Sequence, residues 1–303
     1  MSNSSVCAVL VTFESDPDSL RAVLRAILPQ VQKLVVVENG SAEPRRARIL
    51  EEVSTVASSE PSWHSKLTLI QGNENVGLAK AFNRAIAAVG HGETDYFLFL
   101  DHDSVVEEDA VRKLVESAEA LQPRFKVGAV GAFNVEAAKL PLDDFFDGYL
   151  ERTGYLVDLP VRETVLLINS GLLVSSEVFD VVGRFDETYF IDAIDFEFSL
   201  RLVSRGYRLF RVESSRIRHT RGKFEVIRIG SWTWAYHQPA VWREYFVARD
   251  TLRTAIRYSR KVPFTSLLIF IMPVREAFMS ALFYGQPLRR LWLLAAGAVR
   301  SVV

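Results

Sequence analysis

The sequence predicts an α/β protein with a mostly parallel, doubly wound sheet and a C-terminal helical extension. Three observations favour this fold class. Short, continuous apolar runs such as Val6 to Phe13 are typical of strands buried on both faces. These runs alternate with segments whose apolar residues recur at helical spacing, which implies right-handed βαβ units. From Val241 onward the pattern is helical and aromatic.

The predicted elements follow in order. Asp16 and Pro17 begin the first helix, because aspartate caps a helix well and proline suits its first turn. Pro141 to Pro160 has no regular period and is predicted to be an irregular insertion. The expected strands are Val6 to Phe13, Lys33 to Glu38, Leu67 to Ile70, Tyr96 to Leu100, Val127 to Phe133, Tyr207 to Val212 and Arg216 to His219, and the expected helices are Pro17 to Leu28, Glu43 to Val56, Leu78 to Val89, Glu107 to Leu121 and Asp195 to Arg205.

Composition narrows the class of protein. The 303 residues are 49% hydrophobic and 24% charged, which is enough apolar material for a sizeable core. A net charge of -1 disfavours a basic nucleic-acid-binding protein, so no nucleic-acid partner is expected. Cys7 is the one cysteine in the sequence, which excludes a disulfide framework and fits a reducing cytosol.

The charge is unevenly distributed along the chain. From Thr251 to the end, eight basic residues face a single acid, Glu276. We therefore predict two domains, an acidic main domain over residues 1–250 and a basic amphipathic helical region over 251–303. This region is expected to lie on an anionic membrane, with core packing or a homodimer as the alternatives. The N-terminus lacks the pattern of a secretion signal and no apolar run reaches about 18 residues, so the expected location is cytoplasmic and peripheral on the inner face of the plasma membrane.

Polar side chains follow three of the predicted strands. Thr12 closes the first, Glu38 closes the second, and the segment Asp101 to Asp103 follows the fourth. Ligands bind beyond the carboxyl ends of the strands in an open α/β sheet, so these groups are expected on one rim. Two carboxylates one residue apart can hold a hard divalent cation and a diphosphate bound to it. The alternative is that Asp103 or Ser104 merely caps the next helix.

Several common motifs do not occur. The sequence has no G-x-G-x-x-G after the first strand and no G-x-x-x-x-G-K-[ST], which argues against a dinucleotide oxidoreductase and a P-loop NTPase. It has neither a G-x-S-x-G elbow nor the HExxH spacing, which disfavours hydrolases. A sugar nucleotidyltransferase would need a glycine-rich, arginine-containing loop after the first strand, and the sequence there is T-F-E-S-D.

A series of short motifs runs through the chain. They are VTF at Val11 to Phe13, VVVENGS at Val35 to Ser41, N-x-G-x-A-x-A-x-N at Asn75 to Asn83, LDHDS at Leu100 to Ser104, NSG at Asn169 to Gly171, FDETYFIDAIDFEFSLR at Phe185 to Arg201, and IRHTRG at Ile217 to Gly222. In this order the series resembles family 2 nucleotide-sugar glycosyltransferases of the GT-A fold, and among them bacterial rhamnosyltransferases. The resemblance covers roughly residues 6 to 260.

The resemblance implies roles for the strand-end residues. In the family an aspartate after the second strand usually contacts the nucleotide base, and Glu38 takes that place here. Asp101 would contact the ribose or a metal-bound water, while Asp103 and His219 would bind Mg²⁺ or Mn²⁺. Arg249 would neutralise the departing diphosphate, unless it pairs with Asp250. The implied nucleotide-sugar contacts are Thr12, Glu38, Asn75, Gly77, Asn83, Asp101 and Arg249.

The resemblance also places a catalytic base at the start of a helix that faces the acceptor. Asp195 occupies that position, where it can also cap the helix. Further contacts to the acceptor or sugar are implied for Ser170, Gly171, Asp192 and Glu197. Two alternatives stay open, a strand kink at Ser170-Gly171 and an ion pair between Asp192 and Arg201.

The resemblance implies an inverting, metal-dependent transfer of L-rhamnose from dTDP-β-L-rhamnose to a hydroxyl of a glycan or lipid-linked acceptor. Such a reaction belongs to the synthesis of cell-surface polysaccharide or glycolipid. One alternative keeps the fold and uses another nucleotide sugar, such as a UDP-hexose or GDP-mannose. Another alternative is a non-catalytic, membrane-associated scaffold, although Asp101, Asp103, Asp195 and His219 together argue against it. The acceptor has no readable signature in the sequence.

Overall fold

The structure is a computed structural model that describes residues 4–90, 92–135, 160–219, 224–229 and 232–302. The predicted insertion at Pro141 to Pro160 lies outside the described residues except for Pro160. The chain divides into two compact units, Met1–Phe190 with Ile194–His219, and Ile191–Ala193 with Thr220–Val303. The domain boundary predicted after residue 250 falls within a continuous helix, Arg243–Tyr258.

The first unit is built on one sheet, to which nine strands of its described part contribute. The strands are β1 (Val6–Thr12), β2 (Lys33–Glu38), β3 (Leu67–Gln71), β4 (Tyr96–Asp101), β5 (Ser104–Val106), β6 (Val127–Asn134), β7 (Val161–Thr164), β8 (Leu172–Ser175) and β9 (Arg208–His219). Their spatial order is β3-β2-β1-β4-β8-β6-β9-β5, and β7 pairs with β9.

Half of this sheet is the parallel arrangement that the sequence predicts. All seven residues of β1 are buried, and β1 pairs in parallel with β2 on one side and β4 on the other. The other half contains antiparallel pairs, because β8 runs against both β4 and β6, and β5 and β7 run against β9. No helical period precedes β7 or β8 in the sequence, so alternation of strands and helices does not foresee these additions.

Helices cover the sheet and complete its core. Asp16 caps the first helix as predicted, since its carboxylate accepts the backbone N–H of Ser19 at 3.0 Å. The helix predicted from Glu107 begins three residues later, at Ala110, and the segment Ser104–Val106 before it pairs with β9 as a strand that was not predicted. The two strands predicted at 207–212 and 216–219 are one continuous strand, β9. The helices are α1 (Pro17–Ile27), α2 (Arg45–Ser59), α3 (Pro61–His64), α4 (Leu78–Ala88), α5 (Ala110–Leu121), α6 (Ser176–Val182) and α7 (Ile194–Ser204), with a 3-10 turn at Leu28–Gln30.

In its described residues the second unit combines a hairpin with three helices, which confirms a C-terminal helical region. The antiparallel hairpin is formed by β10 (Phe224–Ile229) and β11 (Trp232–His237). The helices are α8 (Arg243–Tyr258), α9 (Pro263–Leu282) and α10 (Pro287–Arg300). Arg290 is one of the eight basic residues in the region that the sequence predicts to lie on a membrane, but it is buried against the carboxylate of Glu244. A buried guanidinium needs such a partner, so Arg290 belongs to the interior of this unit.

The helix α9 also differs from expectation. Arg275 and Glu276 divide its apolar sequence, yet the helix continues through them and through Pro273 for 20 residues. Its length and composition are sufficient to cross a membrane, with a mean hydropathy of 1.4 over its most apolar window. Glu276 turns inward and is largely buried, which keeps this charge off the outer face of the helix.

Candidate active site

Asp101, Asp103 and His219 meet at the carboxyl ends of the strands. Asp101 is the last residue of β4, and Asp103 lies in the tight turn that leads into β5. The antiparallel pairing of β5 with β9 sets Ser104 opposite His219, which brings the imidazole beside the turn. The imidazole Nδ1 lies 3.1 Å from Asp103 Oδ1 and 4.0 Å from Asp101 Oδ2.

This cluster has the composition of a divalent metal site. One ligand atom from each of the three residues lies within 4.8 Å of the others. The side chains of Asp101, Asp103 and His219 are 32%, 30% and 17% exposed, so the site is open to solvent. Two carboxylate oxygens and an imidazole nitrogen suit Mg²⁺ or Mn²⁺. The residues predicted to bind metal are therefore brought together by the fold.

The electrostatic surroundings keep Asp103 ionised. Burial raises the pKa of its carboxyl, but the hydrogen bond from His219 and the nearby imidazoles of His219 and His102 outweigh this effect. The net result is a pKa below the ordinary value for aspartate. A carboxylate that stays ionised at neutral pH is available to bind a cation.

Two buried serines stand behind the imidazole. Ser104 Oγ lies 2.7 Å from His219 Nδ1, and Ser170 Oγ donates to Ser104 Oγ at 2.5 Å. Ser170, predicted to contact the acceptor or sugar, is only 1% exposed, and its hydroxyl is hydrogen-bonded within the protein. Gly171 links strands, since its N–H donates to Phe99 and its carbonyl accepts from Ala132. Ser104 was not among the predicted site residues, although it directly follows Asp103 in L-D-H-D-S.

Glu38 is turned into the protein. Its fully buried carboxylate accepts the backbone N–H groups of Ser41 at 2.7 Å and Gly40 at 3.3 Å, and Arg46 Nε lies 3.3 Å away. Thr12 is equally buried, and its carbonyl accepts the N–H of Asn39, the residue that follows Glu38. Thr12 and Glu38, two of the residues predicted to contact the nucleotide sugar, therefore stabilise the loop after β2 through hydrogen bonds inside the protein. Arg46 was not foreseen as a partner because it lies on the following helix.

Asn75 and Gly77 belong to a second loop that is tied to the first. Asn75 Oδ1 accepts from Asn39 Nδ2 and from the N–H of Gly77, both at 3.0 Å. Gly77 has a φ of +86°, and a Cβ there would come within 2.8 Å of the carbonyl oxygen of Phe190. Glycine is therefore required by both the left-handed backbone and the close approach. Asn39 follows Glu38 among the polar residues at the end of the second predicted strand, but the predicted nucleotide-sugar contacts do not include it.

Asn83 holds the segment that precedes α7. Its Nδ2 donates to the carbonyl of Phe185 at 2.9 Å and to Glu187 Oε1 at 3.0 Å, and its Oδ1 accepts the N–H of Phe185 at 3.1 Å. The side chain, predicted to contact the nucleotide sugar, is buried and engaged on both ends of its amide. Asn83 therefore braces the F-D-E-T-Y-F segment against α4.

Asp195 and Glu197 lie in the first turn of α7 but have different surroundings. Asp195 is half-buried, and its Oδ1 accepts the N–H of Phe196 at 3.0 Å. Glu197 is buried in an ion pair with Arg201 at 2.9 Å, and Arg201 also donates to the carbonyls that end α6. Glu197 therefore serves the packing of α7, whereas Asp195 lies on the more open part of the turn.

Asp192 and Arg249 belong to the second unit, where both are paired. Asp192 Oδ1 lies 2.6 Å from Arg243 Nη2, so its partner is Arg243 and not Arg201. Arg249 makes a two-point contact with Asp250 at 2.6 and 3.0 Å, the pairing left open by the sequence. Burial raises the pKa of Asp250 to about 6, although Arg249 acts in the opposite direction.

Fold and site together define a glycosyltransferase of the GT-A class, in which a nucleotide-sugar donor meets the carboxyl ends of the strands. The chain belongs to glycosyl transferase family 2, whose family model matches residues 7–175. The family assignment confirms the sequence-based resemblance and the prediction that the chain is an enzyme of this class.

The chain is also similar in sequence to two named bacterial proteins. The chain is 26% identical over 251 residues to "dTDP-rhamnosyl transferase RfbF" of Shigella flexneri, covering 82% of this chain and 79% of that protein. It is 24% identical over 241 residues to "O-antigen biosynthesis protein RfbC" of Myxococcus xanthus, which covers 70% of this chain but only 17% of that protein. The chain therefore resembles bacterial rhamnosyltransferases.

Solved structures share the fold at low sequence identity. The structure of residues 1–349 of S. aureus TarS has a TM-score of 0.55 at 13% identity, covering 98% of this chain and 81% of that one. GalNAc-T7, crystallised with UDP, GalNAc and Mn²⁺, has a TM-score of 0.54 at 14% identity, covering 91% of this chain and 57% of that one. Both confirm the predicted GT-A architecture.

Proposed function

We propose that this glycosyltransferase moves L-rhamnose from dTDP-β-L-rhamnose to a hydroxyl of a glycan or lipid-linked acceptor. The observation that carries the proposal is the cluster of Asp101, Asp103 and His219 at the strand ends of a family 2 fold. The choice of donor is supported by similarity to a protein named as a dTDP-rhamnosyl transferase over 82% of the chain. Such a reaction fits the synthesis of cell-surface polysaccharide or glycolipid.

The donor would lie across the carboxyl ends of β1, β2 and β4. Thr12, Glu38, Asn75, Gly77 and Asn83 shape the loops beneath it through their hydrogen bonds within the protein. Asp101 remains open enough to contact the ribose.

The proposed enzyme uses a divalent ion. Asp103 and His219, with Asp101 beside them, would hold Mg²⁺ or Mn²⁺, which supplies positive charge to the nucleotide diphosphate as it departs.

Asp195 is the proposed catalytic base. The acceptor oxygen attacks C1 of rhamnose, the bond from C1 to the diphosphate oxygen breaks, and the acceptor proton passes to the carboxylate of Asp195. The bonding electrons leave with dTDP, so no oxidant or reductant is needed. A single displacement inverts the configuration at C1 and gives an α-L-rhamnoside. Asp195 suits this role because it is half-buried at the start of α7, whereas the neighbouring Glu197 is fixed by Arg201.

We also propose that the second unit lies on an anionic membrane surface at the cytoplasmic face. On α9, apolar side chains that are 53–60% exposed recur every three or four residues and form a continuous stripe. No acidic residue other than the buried Glu276 occurs after Asp250, so the exposed charges there are all basic. An apolar stripe among basic residues is complementary to anionic lipid. The stripe consists of Phe264, Leu267, Val274, Phe278 and Leu282, with Ile271 at 45% exposure.

Contacts on the opposite side of α9 favour a helix that lies on the membrane over one that crosses it. Ser280 donates to Glu244 of α8 at 3.4 Å, and Met279 is fully buried. One side of α9 is thus packed against the rest of the second unit. A helix packed in this way presents a single face to lipid.

The decisive experiment measures release of the nucleotide from four donors by mass spectrometry. The purified full chain is incubated with dTDP-β-L-rhamnose, UDP-glucose, UDP-N-acetylglucosamine or GDP-mannose, each with Mn²⁺ and with chelator. We expect release of dTDP alone, dependent on Mn²⁺ and lost in Asp103→Asn. The control is Asp18→Asn, because the side chain of Asp18 on α1 is 84% exposed and remote in sequence from the cluster.

Three results would contradict parts of this assignment. Selective turnover of a UDP- or GDP-linked sugar would overturn the rhamnose donor while keeping the family activity. Release of dTDP that is equal with Mn²⁺ and with chelator would overturn the metal site. Binding of dTDP-rhamnose without turnover, even with mixed lipid-linked glycans supplied as acceptors, would favour the scaffold alternative.

A further inference from the structure

We propose that Arg201 is a positioning residue that holds the start of α7, and with it Asp195, in place relative to the loop beneath the donor. The inference rests on the proposed function, because it concerns the reaction in which Asp195 accepts the proton of the acceptor. It adds a side chain that is only 14% exposed and lies further along the same helix.

The guanidinium of Arg201 joins α7 to the end of α6. Its Nη1 donates to three consecutive carbonyls, at 3.0 Å in Val182, 3.3 Å in Gly183 and 2.8 Å in Arg184. Its Nη2 donates to Glu197 Oε2 at 2.9 Å, in the first turn of α7. The last carbonyls of a helix have no partner within that helix, and an arginine side chain can supply one. One side chain thus connects the end of α6 to the first turn of α7.

An aromatic ring fixes the orientation of the same guanidinium. The guanidinium carbon of Arg201 lies 5.2 Å from the centroid of the Phe198 ring, which is 1% exposed. The ring of Phe198 packs in turn against that of Phe185, with their centroids 4.8 Å apart. A planar guanidinium held by a ring, by carbonyls and by a carboxylate is restricted in both position and tilt.

The segment that Arg201 contacts is also tied to α4. Asn83 of α4 hydrogen-bonds both the N–H and the carbonyl of Phe185. The same helix begins directly after Gly77, in the loop placed beneath the donor under the proposed function. The segment after α6 is therefore held from the donor side by α4 and from the side of Asp195 by Arg201.

The rate of the reaction is sensitive to this spacing. A misplacement of about 1 Å can lower a rate by about 100-fold, because proton transfer requires hydrogen-bond contact between base and acceptor. Lysine keeps the positive charge of Arg201 but presents a single ammonium in place of a planar fork. It cannot span the carbonyls and Glu197 in the same geometry, so Arg201→Lys is expected to loosen the start of α7 without removing the charge.

The test measures kcat for release of dTDP from dTDP-β-L-rhamnose, using the full chain with Mn²⁺ and mixed lipid-linked glycans as acceptors. Arg201→Lys is expected to lower kcat by about 10- to 100-fold, while the dissociation constants of Mn²⁺ and of dTDP-β-L-rhamnose stay within a factor of about two. Arg208→Lys is the matched control, because Arg208 also pairs with a buried carboxylate, Glu163, and lies over the ring of Phe125 at 4.0 Å. Arg208 is at the opposite end of β9 from His219, so its substitution is expected to leave kcat unchanged.

A double-mutant cycle separates positioning of the base from general loss of structure. If Arg201 acts through Asp195, its substitution has nothing left to misplace once the base is gone. The double variant Asp195→Asn with Arg201→Lys is therefore expected to have the kcat of Asp195→Asn alone, within a factor of about two. A general structural role would lower kcat by the same factor in both backgrounds.

A second pair of variants removes the contacts without leaving a buried charge unpaired. Glu197→Gln keeps an oxygen for Arg201 and the three carbonyl contacts, so it is expected to retain kcat. The double variant Glu197→Gln with Arg201→Gln has no buried charge at this position but loses the carbonyl contacts. It is expected to show the same fall in kcat as Arg201→Lys.

The outcomes distinguish this inference from the proposed function. An unchanged kcat in Arg201→Lys, or an equal fall in Arg208→Lys, would overturn the positioning role alone. Equal losses with and without the carboxylate of Asp195 would also overturn it. A wild type that releases no dTDP, or an Asp195→Asn variant with wild-type kcat, would overturn the proposed function and the positioning role together.

Discussion

The carboxylates of the first unit differ in how their charges are matched. Glu197 is buried with Arg201, and Glu38 is buried against two backbone N–H groups with Arg46 nearby. Asp101 and Asp103, by contrast, share one imidazole and are about one-third exposed. Two neighbouring carboxylates that are partly exposed to solvent are better placed to attract a divalent cation than carboxylates buried in ion pairs with arginine.

Substitution of the single residue Asp195 tests whether it is the catalytic base. Asp195→Asn keeps the size of the side chain but removes its ability to accept a proton, so we expect the turnover number to fall by about 10²- to 10⁴-fold. Binding of Mn²⁺ and of dTDP-rhamnose is expected to stay within a factor of about two. Initial rates and calorimetric titration measure the two effects separately.

The matched control for Asp195 is Glu197→Gln. Because Glu197 is paired with Arg201, we expect this change to lower the melting temperature. The turnover number of the protein that remains folded is expected to change little. A variant Asp195→Asn with wild-type turnover would contradict the assignment of the base.

Residue types at strand ends could be predicted from the sequence, whereas their orientations could not. The pattern L-D-H-D-S identifies Asp101 and Asp103, and the later I-R-H identifies His219 by resemblance. Nothing in the sequence indicates that the amide of Asn83 is hydrogen-bonded to the backbone of Phe185, or that the hydroxyl of Ser170 is hydrogen-bonded to Ser104. Such hydrogen bonds join residues that are 66 to 102 positions apart, so only the folded chain reveals them.

Between elements, pairing register decides whether the site exists. The three residues of β5 bring His219 to Asp103 because Ser104 is opposite His219 in the pairing with β9. The sequence S-V-V is too short for a period to distinguish a strand from the start of a helix. Burial on both faces made β1, β2 and β4 predictable, while the mixed half of the sheet depends on long-range pairing.

The packing of α10 against α8 yields a stability prediction. A methyl group at Gly297 would overlap the carbonyl oxygen of Tyr245, so α10 can approach α8 only without a side chain there. We expect Gly297→Ala to lower the free energy of unfolding by about 1–3 kcal/mol through overpacking, measured by chemical denaturation. Gly285→Ala is the control, because its methyl group would meet nothing nearer than Gln238 at 3.8 Å. Equal stability of Gly297→Ala and the wild type would contradict this packing.

The buried ion pair between α8 and α10 predicts a pH dependence. Burial raises the pKa of Glu244 from 4.5 to about 7, although Arg290 acts to lower it. The folded chain therefore holds a proton that the unfolded chain releases between those values. This contribution to stability is complete below pH 4.5 and is lost as the pH rises through about 7.

Glu244→Gln removes this titration while keeping an oxygen for Arg290. We expect the fall in melting temperature of the wild type between about pH 5 and about pH 8 to be smaller in the variant. Thermal unfolding across this range, followed by circular dichroism, measures the difference. Parallel pH curves for both proteins would contradict a raised pKa at Glu244.

At the scale of the whole molecule, the chain separates an acidic part from a basic one. Residues after Asp250 carry a net charge of +7, and the remaining 250 residues carry -8. Their placement could not be read from the sequence, because Arg290 is buried while Arg275 and Arg289 are exposed. The acidic part contains the cluster of Asp101, Asp103 and His219, and the basic part carries the apolar stripe of α9.

Binding to lipid vesicles tests the proposed membrane surface. We expect the full chain to sediment with vesicles of phosphatidylglycerol and phosphatidylcholine, and less with phosphatidylcholine alone. The double substitution Leu267→Ser and Phe278→Ser is expected to weaken binding by about tenfold or more, because both side chains are 55% exposed on α9.

The control for vesicle binding is Val181→Ser on α6. The side chain of Val181 is apolar and 64% exposed, but it belongs to the first unit. Light scattering on the same samples reports self-association. A stable dimer that fails to bind vesicles and is dissociated by the double substitution would contradict the membrane surface and assign the stripe to a second copy.

The most direct test of the central claim is the affinity for dTDP-β-L-rhamnose, measured by calorimetry with Mn²⁺ and with chelator. The account predicts binding that depends on Mn²⁺ and is lost in Asp103→Asn but kept in Asp195→Asn, because the first residue holds the ion and the second removes a proton. Equal affinity with Mn²⁺ and with chelator, unchanged in Asp103→Asn, would contradict a metal-assisted donor site at Asp101, Asp103 and His219.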